Sequence, residues 1–396
     1  MKVLIVSPKF HPVIGGGETY VLNSAGLLYQ AGVDVSIAVE PNPERNLKKY
    51  PFKVYEIEGL SDTKLNIITA PAGLSKLINK VRPNLIHAHG YFALLAVGLA
   101  NSHTAPILVS IHSTPVWGQR LIGCMDSFDT ELTFARNILD LAKPKLLTAA
   151  NEVYAEAARK VAAGRVKVEV IPYPVDIDFF HRQNNSDLRK KFGLSKKDCL
   201  IMTPSRIIER KGIREVVAAL DSLPTNFYLC LPAAANPLDK TYWDDICSSQ
   251  IFQRVKRRLI IPGKEFQYFD MPRLYAACDI VVMPSYYEGA PVATVEAMAS
   301  GKPFVGADAQ GINSLIRHNE NGLLTPKKSV PALSAAILRL ANDKLLGEKL
   351  SQQAFSDITN LSWGIQLPRL INVYKTVIEA PPTSRASGTP VHSKAI

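Results

Sequence analysis

The chain has no apolar run approaching the roughly 20 residues that a membrane-spanning helix requires, and only five of its 396 residues are cysteine. These five, at positions 124, 199, 230, 247 and 278, are scattered, odd in number and without metal-ligand spacing. That pattern excludes a disulfide-stapled domain and a cysteine-based zinc site, and it fits a reducing compartment. The opening MKVLIVSPKFHP lacks the extended apolar core of a secretory signal and reads as a short strand. The expected location is therefore the cytoplasm. No internal repeat and no interleaving of basic with aromatic residues is evident, which argues against a repeat architecture and a nucleic-acid surface.

What is present is apolar content and positive charge. Hydrophobic residues make up 47% of the chain, and at this length they exceed one ordinary core, so two domains are expected. Lys and Arg total 46 against 35 Asp and Glu, a net charge of +11. Such an excess favours anionic partners, among them nucleotide phosphates and the anionic inner face of a membrane, where peripheral contact is expected.

The periodicity alternates strand and helix. Strands are expected at 3–6, 33–39, 85–88, 107–111, 146–149 and 168–171, with helices near 18–30, 64–81, 92–101 and 152–162. These compose one doubly wound unit. Residues 173–195 then carry prolines and the polar run HRQNNSDLRKK, the signature of an interdomain linker. A second series has strands near 200–203, 227–231, 259–262, 280–282 and 304–306. Its helices fall near 213–220, 272–278, 331–341 and 346–361, and a last helix spans 363–379. The resulting division is 1–175, 176–362, the returning helix 363–379, and a Ser-, Pro- and Thr-rich tail at 380–396 expected to be disordered.

Ligands of open α/β sheets bind at the carboxyl ends of the strands, and the chemistry-bearing residues gather at such places. After strand 280–282 come Glu288, Gly289, Ala290, Pro291 and Val292, with Glu296 one to two turns into the next helix. The Gly289, Ala290 and Val292 amides stand at a positive helix end suited to a diphosphate, and Glu296 can accept two ribose hydroxyls. The plain alternative makes both glutamates solvated. Gly15, Gly16 and Gly17 precede Glu18 between the first strand and its helix, and they either admit a ligand to the backbone or simply turn the chain. His112 follows strand 107–111 as a substrate donor or a satisfied rim histidine. Of His87 and His89, which alternation places on one face, at least one is structural. Arg206 and Lys211 can converge on one diphosphate, although Arg210 and Arg214 are also what a solvated loop would carry. The loops 306–311 and Asn321-Gly322 fit turn chemistry equally well.

Taken together, these features resemble the family-four retaining glycosyltransferases. The pair Glu288 and Glu296 followed by Ala297-Met298-Ala299-Ser300-Gly301 looks like that family's donor-site signature. The glycine loop, His112, Arg206, Lys211-Gly212, Asp279 and Asn321-Gly322-Leu323-Leu324 match in the same order. The resemblance implies a GT-B fold, two Rossmann-like domains facing across a cleft, with the C-terminal helix crossing back to the first. It also implies that a nucleotide-diphosphate sugar, a UDP-sugar by family frequency, gives its sugar to a hydroxyl acceptor in glycan, glycolipid or glycosylated-metabolite synthesis. In that reading Arg206, Lys211 and the amides of Gly16, Gly17, Gly289, Ala290 and Val292 meet the diphosphate. Glu296 holds the ribose, Glu288 and His112 meet the transferred sugar, and acceptor contacts come from His89 and the irregular stretch 113–129.

No cofactor and no metal is expected, since cations and helix dipoles stabilise the leaving group; Asp176-x-Asp178 resembles the linker aspartate instead of a metal site. Retention is expected, because no carboxylate of the set is placed as a base for one-step inversion. The sequence departs from the family pattern twice. Tyr173-Pro174 stands where Asn-Gly is common, and Asn313-Ser314 stands where Pro-Glu is usual. Alternatives are a GT-B nucleotide-sugar epimerase and a non-catalytic nucleotide-sugar-binding subunit.

Overall fold

A computed structural model describes residues 1–12, 15–61, 69–100, 105–112, 128–181, 186–263 and 268–381. Most of the expected acceptor stretch 113–129, the start of the helix expected at 64, and the tail from 382 lie outside the described residues.

Seven parallel strands form the first sheet: β1 (Lys2–Ser7), β2 (Asp34–Val39), β3 (Lys53–Glu56), β4 (Leu85–His89), β5 (Ile107–Ile111), β6 (Leu146–Ala149) and β7 (Lys167–Val170), in the order β3-β2-β1-β4-β5-β6-β7. Every residue of β4, β5 and β6 is buried, as expected of near-continuous apolar runs covered on both faces. The covering helices are α1 (Gly16–Gln30), α2 (Ala70–Val81), α3 (Tyr91–Ala100), α4 (Phe128–Ala142) and α5 (Glu152–Ala162). Strand order reverses between β1 and β4, so the crevice there opens beside Gly15–Gly17 and His89. Strand β3 and helix α4 were not expected from the sequence. Helix α4 carries its own signal, for buried Ala135, Ile138, Leu139 and Ala142 recur at helical spacing.

The segment read as a linker is folded. Helices α6 (Ile177–His181) and α7 (Ser186–Lys191) pack on the second sheet, with Phe180 and Leu188 in its core. Asp176 accepts the Phe179 amide at 2.9 Å, the usual role of an aspartate at a helix start. The polar run concealed these apolar anchors. Beyond it lie β8 (Cys199–Met202), β9 (Phe227–Cys230), β10 (Leu259–Ile260), β11 (Ile280–Met283), β12 (Phe304–Ala307) and β13 (Leu323–Thr325), parallel in the order β10-β9-β8-β11-β12-β13. Helices α8 (Ile213–Ser222), α9 (Lys240–Ser248), α10 (Gln250–Val255), α11 (Met271–Ala277), α12 (Val292–Ala299), α13 (Val330–Asn342) and α14 (Lys344–Asp357) cover both faces. Among the described residues no helix is long and apolar enough to cross a membrane.

Helix α15 (Trp363–Glu379) returns to the first sheet, where Trp363, Leu370, Val373, Tyr374 and Val377 join the core built on β1 and α1. The crossing is marked by a bridge between Val175 and Ser362. Tyr374 is fully buried and its hydroxyl lies 2.8 Å from His87 Nδ1, while His87 Nε2 meets Ser110 at 2.8 Å. Tyr374→Phe leaves that buried imidazole nitrogen without a partner. It should therefore lower unfolding stability by about 1–2 kcal/mol in urea titrations, and an unchanged midpoint would show that the contact adds nothing.

Candidate functional site

The carboxyl edges of the two sheets face each other, and the loop from β11 to α12 lies between them. Gly212 adopts φ +67, and a side chain there would strike the Pro284 carbonyl. Glycine thus lets the loop after β8 fold directly onto the loop after β11. The contact brings Lys211 Nζ onto Glu288 Oε1, and Arg210 reaches Glu288 Oε2 at 3.3 Å while lying 5.2 Å from the Tyr287 ring centre. Glu288 is only 5% exposed. Burial alone would raise its pKa, but Lys211, Ser285 and Arg210 overcome this and hold the carboxyl below its ordinary range. Burial lowers the Lys211 ammonium and Glu288 supports it. Arg206 is exposed, yet its charge is near enough to add to the downward pull on Lys211. The Glu288 amide donates to the Gln310 carbonyl at 2.8 Å, and Gly311, at φ +90, leaves no room for a side chain against the Glu288 carbonyl.

From the first domain, the start of α1 meets the start of α12. A methyl on Gly16 would come within 2.9 Å of Val292 Cγ2, and one on Gly17 would lie 3.9 Å from the His112 ring. Asn151 caps α5 through its carbonyl oxygen, 2.9 Å from the Tyr154 amide, and its Nδ2 donates to the Gly289 carbonyl. Tyr154 packs its hydroxyl end against Gly289, where any side chain would collide. Ala290 joins the small apolar cluster of Ala149, Ala150, Tyr154 and Ala155. The expectation of three amide donors is modified here, because the Val292 N–H turns back to the Ala290 carbonyl at 2.9 Å. No backbone acceptor among the described residues takes the Gly289 or Ala290 N–H.

Glu296 faces a small, partly open pocket whose walls include Gly16, Tyr20, Tyr268, Val292 and Trp363. Its Oε2 accepts from the Tyr275 hydroxyl at 3.0 Å. Burial, opposed by this hydrogen bond, raises the carboxyl to about 7. Two groups thus meet at the α1–α12 contact: the charged trio of Lys211, Arg210 and Glu288 on one side, and Glu296 with its tyrosines on the other. His112 forms a third group. Its Nε2 lies 2.7 Å from His89 Nδ1, its Nδ1 contacts the Tyr173 hydroxyl, and burial pushes its pKa down to about 4, so the ring is neutral. His87 is the structural member of the pair noted in the sequence, since both its nitrogens serve Tyr374 and Ser110.

Residues 14–179 match the family described as Glycosyltransferase Family 4, and residues 184–357 match that described as Glycosyl transferases group 1. An uncharacterized glycosyltransferase of Methanocaldococcus jannaschii is 25% identical over 403 residues, spanning 96% of this chain and 99% of that protein. Among solved structures, sucrose-phosphate synthase of Thermosynechococcus elongatus superposes with a TM-score of 0.81 at 20% identity, over 95% of this chain and 98% of that one. HepE of Anabaena, solved with UDP and glucose, gives 0.79 at 21% identity over 95% and 100%. The chain belongs to the family-four GT-B glycosyltransferases.

Several motif positions of this glycosyltransferase serve its fold. Asp279 Oδ2 accepts the Leu200 amide at 2.7 Å and pairs with Arg189 at 2.9 Å. Asn321, 1% exposed, receives the Arg317 amide and donates to the Leu315 carbonyl and Asp357. Ser314 caps its own turn through the Gly311 carbonyl at 2.7 Å. Five residues that the sequence reading did not assign to the site touch it: Arg210, Asn151, Tyr154, Tyr173 and Tyr275. Arg210 was noted only as part of the basic run and Tyr173 only as a departure from the family pattern; the others depend on contacts between distant segments.

Glu296 gives the glycosyltransferase a pH-dependent stability. Its folded pKa, near 7, lies above the ordinary 4.5, so the stabilising contribution is complete below that ordinary value and is lost as pH rises through about 7. The difference amounts to about 3 kcal/mol. Glu296→Gln keeps a neutral side chain of similar shape and should match the wild type near pH 4.5 but exceed its stability at pH 8, read from urea midpoints. Parallel pH profiles of the two proteins would show Glu296 to be solvated.

Proposed function

We propose that the protein is a retaining, metal-independent transferase that moves a sugar from a nucleotide-diphosphate sugar, with UDP favoured, to a hydroxyl acceptor. The observation that carries this reading is the buried Lys211 ammonium paired with Glu288 in the loop leading into α12, with Arg210 on the same carboxylate and Arg206 close enough to act on it. Positive charge concentrated in a low-dielectric cleft stabilises a departing diphosphate. Glu288 supplies the counter-charge to Lys211 here; a bound diphosphate would take over that pairing and leave Glu288 for a hydroxyl of the sugar. The amides of Gly16, Gly17, Gly289 and Ala290 would add donors. Glu296, in its cavity beside Tyr268, would hold the ribose, which is consistent with a cavity enclosed by rings. The likeness to HepE with UDP and glucose supports the UDP preference. His89 and His112 would border the reacting sugar and acceptor.

The same layout supports retention. In this reading the cationic groups would all address the leaving group, and Glu288, once released from Lys211, would be engaged by a hydroxyl of the transferred sugar on the donor side and would not stand beside the acceptor as a base. A front-face reaction, in which the leaving oxygen takes the acceptor proton, suits that arrangement.

Calorimetry with UDP, GDP and ADP, followed by transfer assays from the sugar of the best binder, tests the reading. Lys211→Ala should weaken diphosphate binding by about 1.5–3 kcal/mol, and it should be non-additive with Arg206→Ala because both serve one charge. A chelator should leave the rate intact, and proton NMR of the first product from an α-linked donor should show an α linkage. A β linkage would overturn retention, whereas binding without turnover would identify a non-catalytic subunit.

A further inference from the structure

We infer that Tyr173 and His112 form a positioning chain for His89, so that the imidazole N–H offered to a substrate oxygen is His89 Nε2–H and not a nitrogen of His112. The inference rests on the reading above that these histidines border the transferred sugar.

Both ring nitrogens of His112 are occupied within the protein, Nδ1 by the Tyr173 hydroxyl and Nε2 by His89 Nδ1 at 2.7 Å. His89 is 5% exposed, and its Nε2 has no partner among the described residues. The direction of the chain follows from counting protons. Tyr173 has one proton to give, and His112 Nδ1 is its partner. If the phenol donates, His112 carries its proton on Nε2 and donates it to His89 Nδ1, so His89 carries its own on Nε2. One buried donor is then left over. With the reverse polarity His112 donates to the phenol oxygen, and two groups are stranded: the phenol O–H and the Nε2 lone pair of His89. Each unmet buried polar group is unfavourable, so the first direction prevails.

The surroundings keep the three rings neutral and in place. Burial raises the Tyr173 phenol well above its ordinary range and lowers both histidines. The His89 and His112 rings stack at 4.9 Å and 9°, and those of His112 and Tyr173 at 5.6 Å and 22°. Tyr20 packs against Tyr173 at 5.1 Å and against each histidine at 5.9 Å. His87, 4.2 Å from His89 between ring centres, uses its nitrogens elsewhere and does not enter the chain. Tyr173-Pro174 occupies the place where the family resemblance leads one to expect Asn-Gly.

Selective 15N-histidine labelling of the intact protein tests the direction without any substrate. The expected result is that His112 and His89 both show the neutral Nε2–H tautomer. Tyr173→Phe should then shift His112 toward the Nδ1–H form and lower kcat about tenfold, in line with the weight of groups that orient a functional histidine. The donor KM should stay within about twofold. His89→Gln, which keeps an N–H donor near the Nε2 position, should retain more activity than His89→Ala. An Nδ1–H tautomer at His112 in the wild type would overturn the chain, as would a Tyr173→Phe protein with unchanged tautomers and unchanged kcat. If no donor and acceptor support transfer, the tautomers still decide the direction, and only the proposed reaction falls.

Discussion

Two helix N-termini meet at Gly16 and Val292, and the rest of the molecule is arranged around that contact. Each carries roughly half a positive charge from its unpaired amides, so bringing them together in a partly dry cleft is unfavourable unless negative charge lies nearby. Glu288 is a buried carboxylate in the loop that leads into α12, and Glu18 stands in the first turn of α1. Helix α1 cannot present a larger first residue, since a single methyl on Gly16 would already crowd Val292. The parallel sheets behind them, both aimed with their carboxyl ends at the cleft, are what place two such helix starts opposite each other.

The loop carrying Glu288 is fixed from three directions. Lys211 and Arg210 hold its side chain, the Gln310 carbonyl takes its amide, and Asn151 from the other domain binds the neighbouring Gly289 carbonyl. Contacts from both domains therefore converge on one short peptide segment. A change in the angle between the domains would reach Gly289 directly through Asn151 and Tyr154, with no intervening element.

Much of the fold was legible because parallel strands buried on both faces write themselves as apolar runs, as at 85–88 and 107–111, and because glycine and proline mark the loops at their ends. The pairing of Lys211 with Glu288 was legible only as far as their shared edge. Which cation would reach the carboxylate depends on side-chain direction within a tight turn, and there Arg210 rather than the exposed Arg206 makes the second contact. Tyr173 could not be read as a partner of His112, because 61 residues and a whole strand–helix unit separate them. The supposed linker was misjudged for a related reason. Its charged and amide side chains dominate the composition, while Phe180 and Leu188 decide where it packs.

Helix α15 has a consequence for how the chain is made. The core on one face of the first sheet takes Trp363, Leu370 and Tyr374 from a segment synthesised after the entire second sheet. During translation the first domain must therefore wait with an apolar groove along β1, β4 and α1 uncovered, and with His87 Nδ1 unanswered by Tyr374. The second domain has no such dependence, since its strands and covering helices follow one another without interruption from α6 to α14. The half of the molecule born first is thus completed last, and a ribosome stalled before the final helix would carry a finished second domain joined to an unfinished first one.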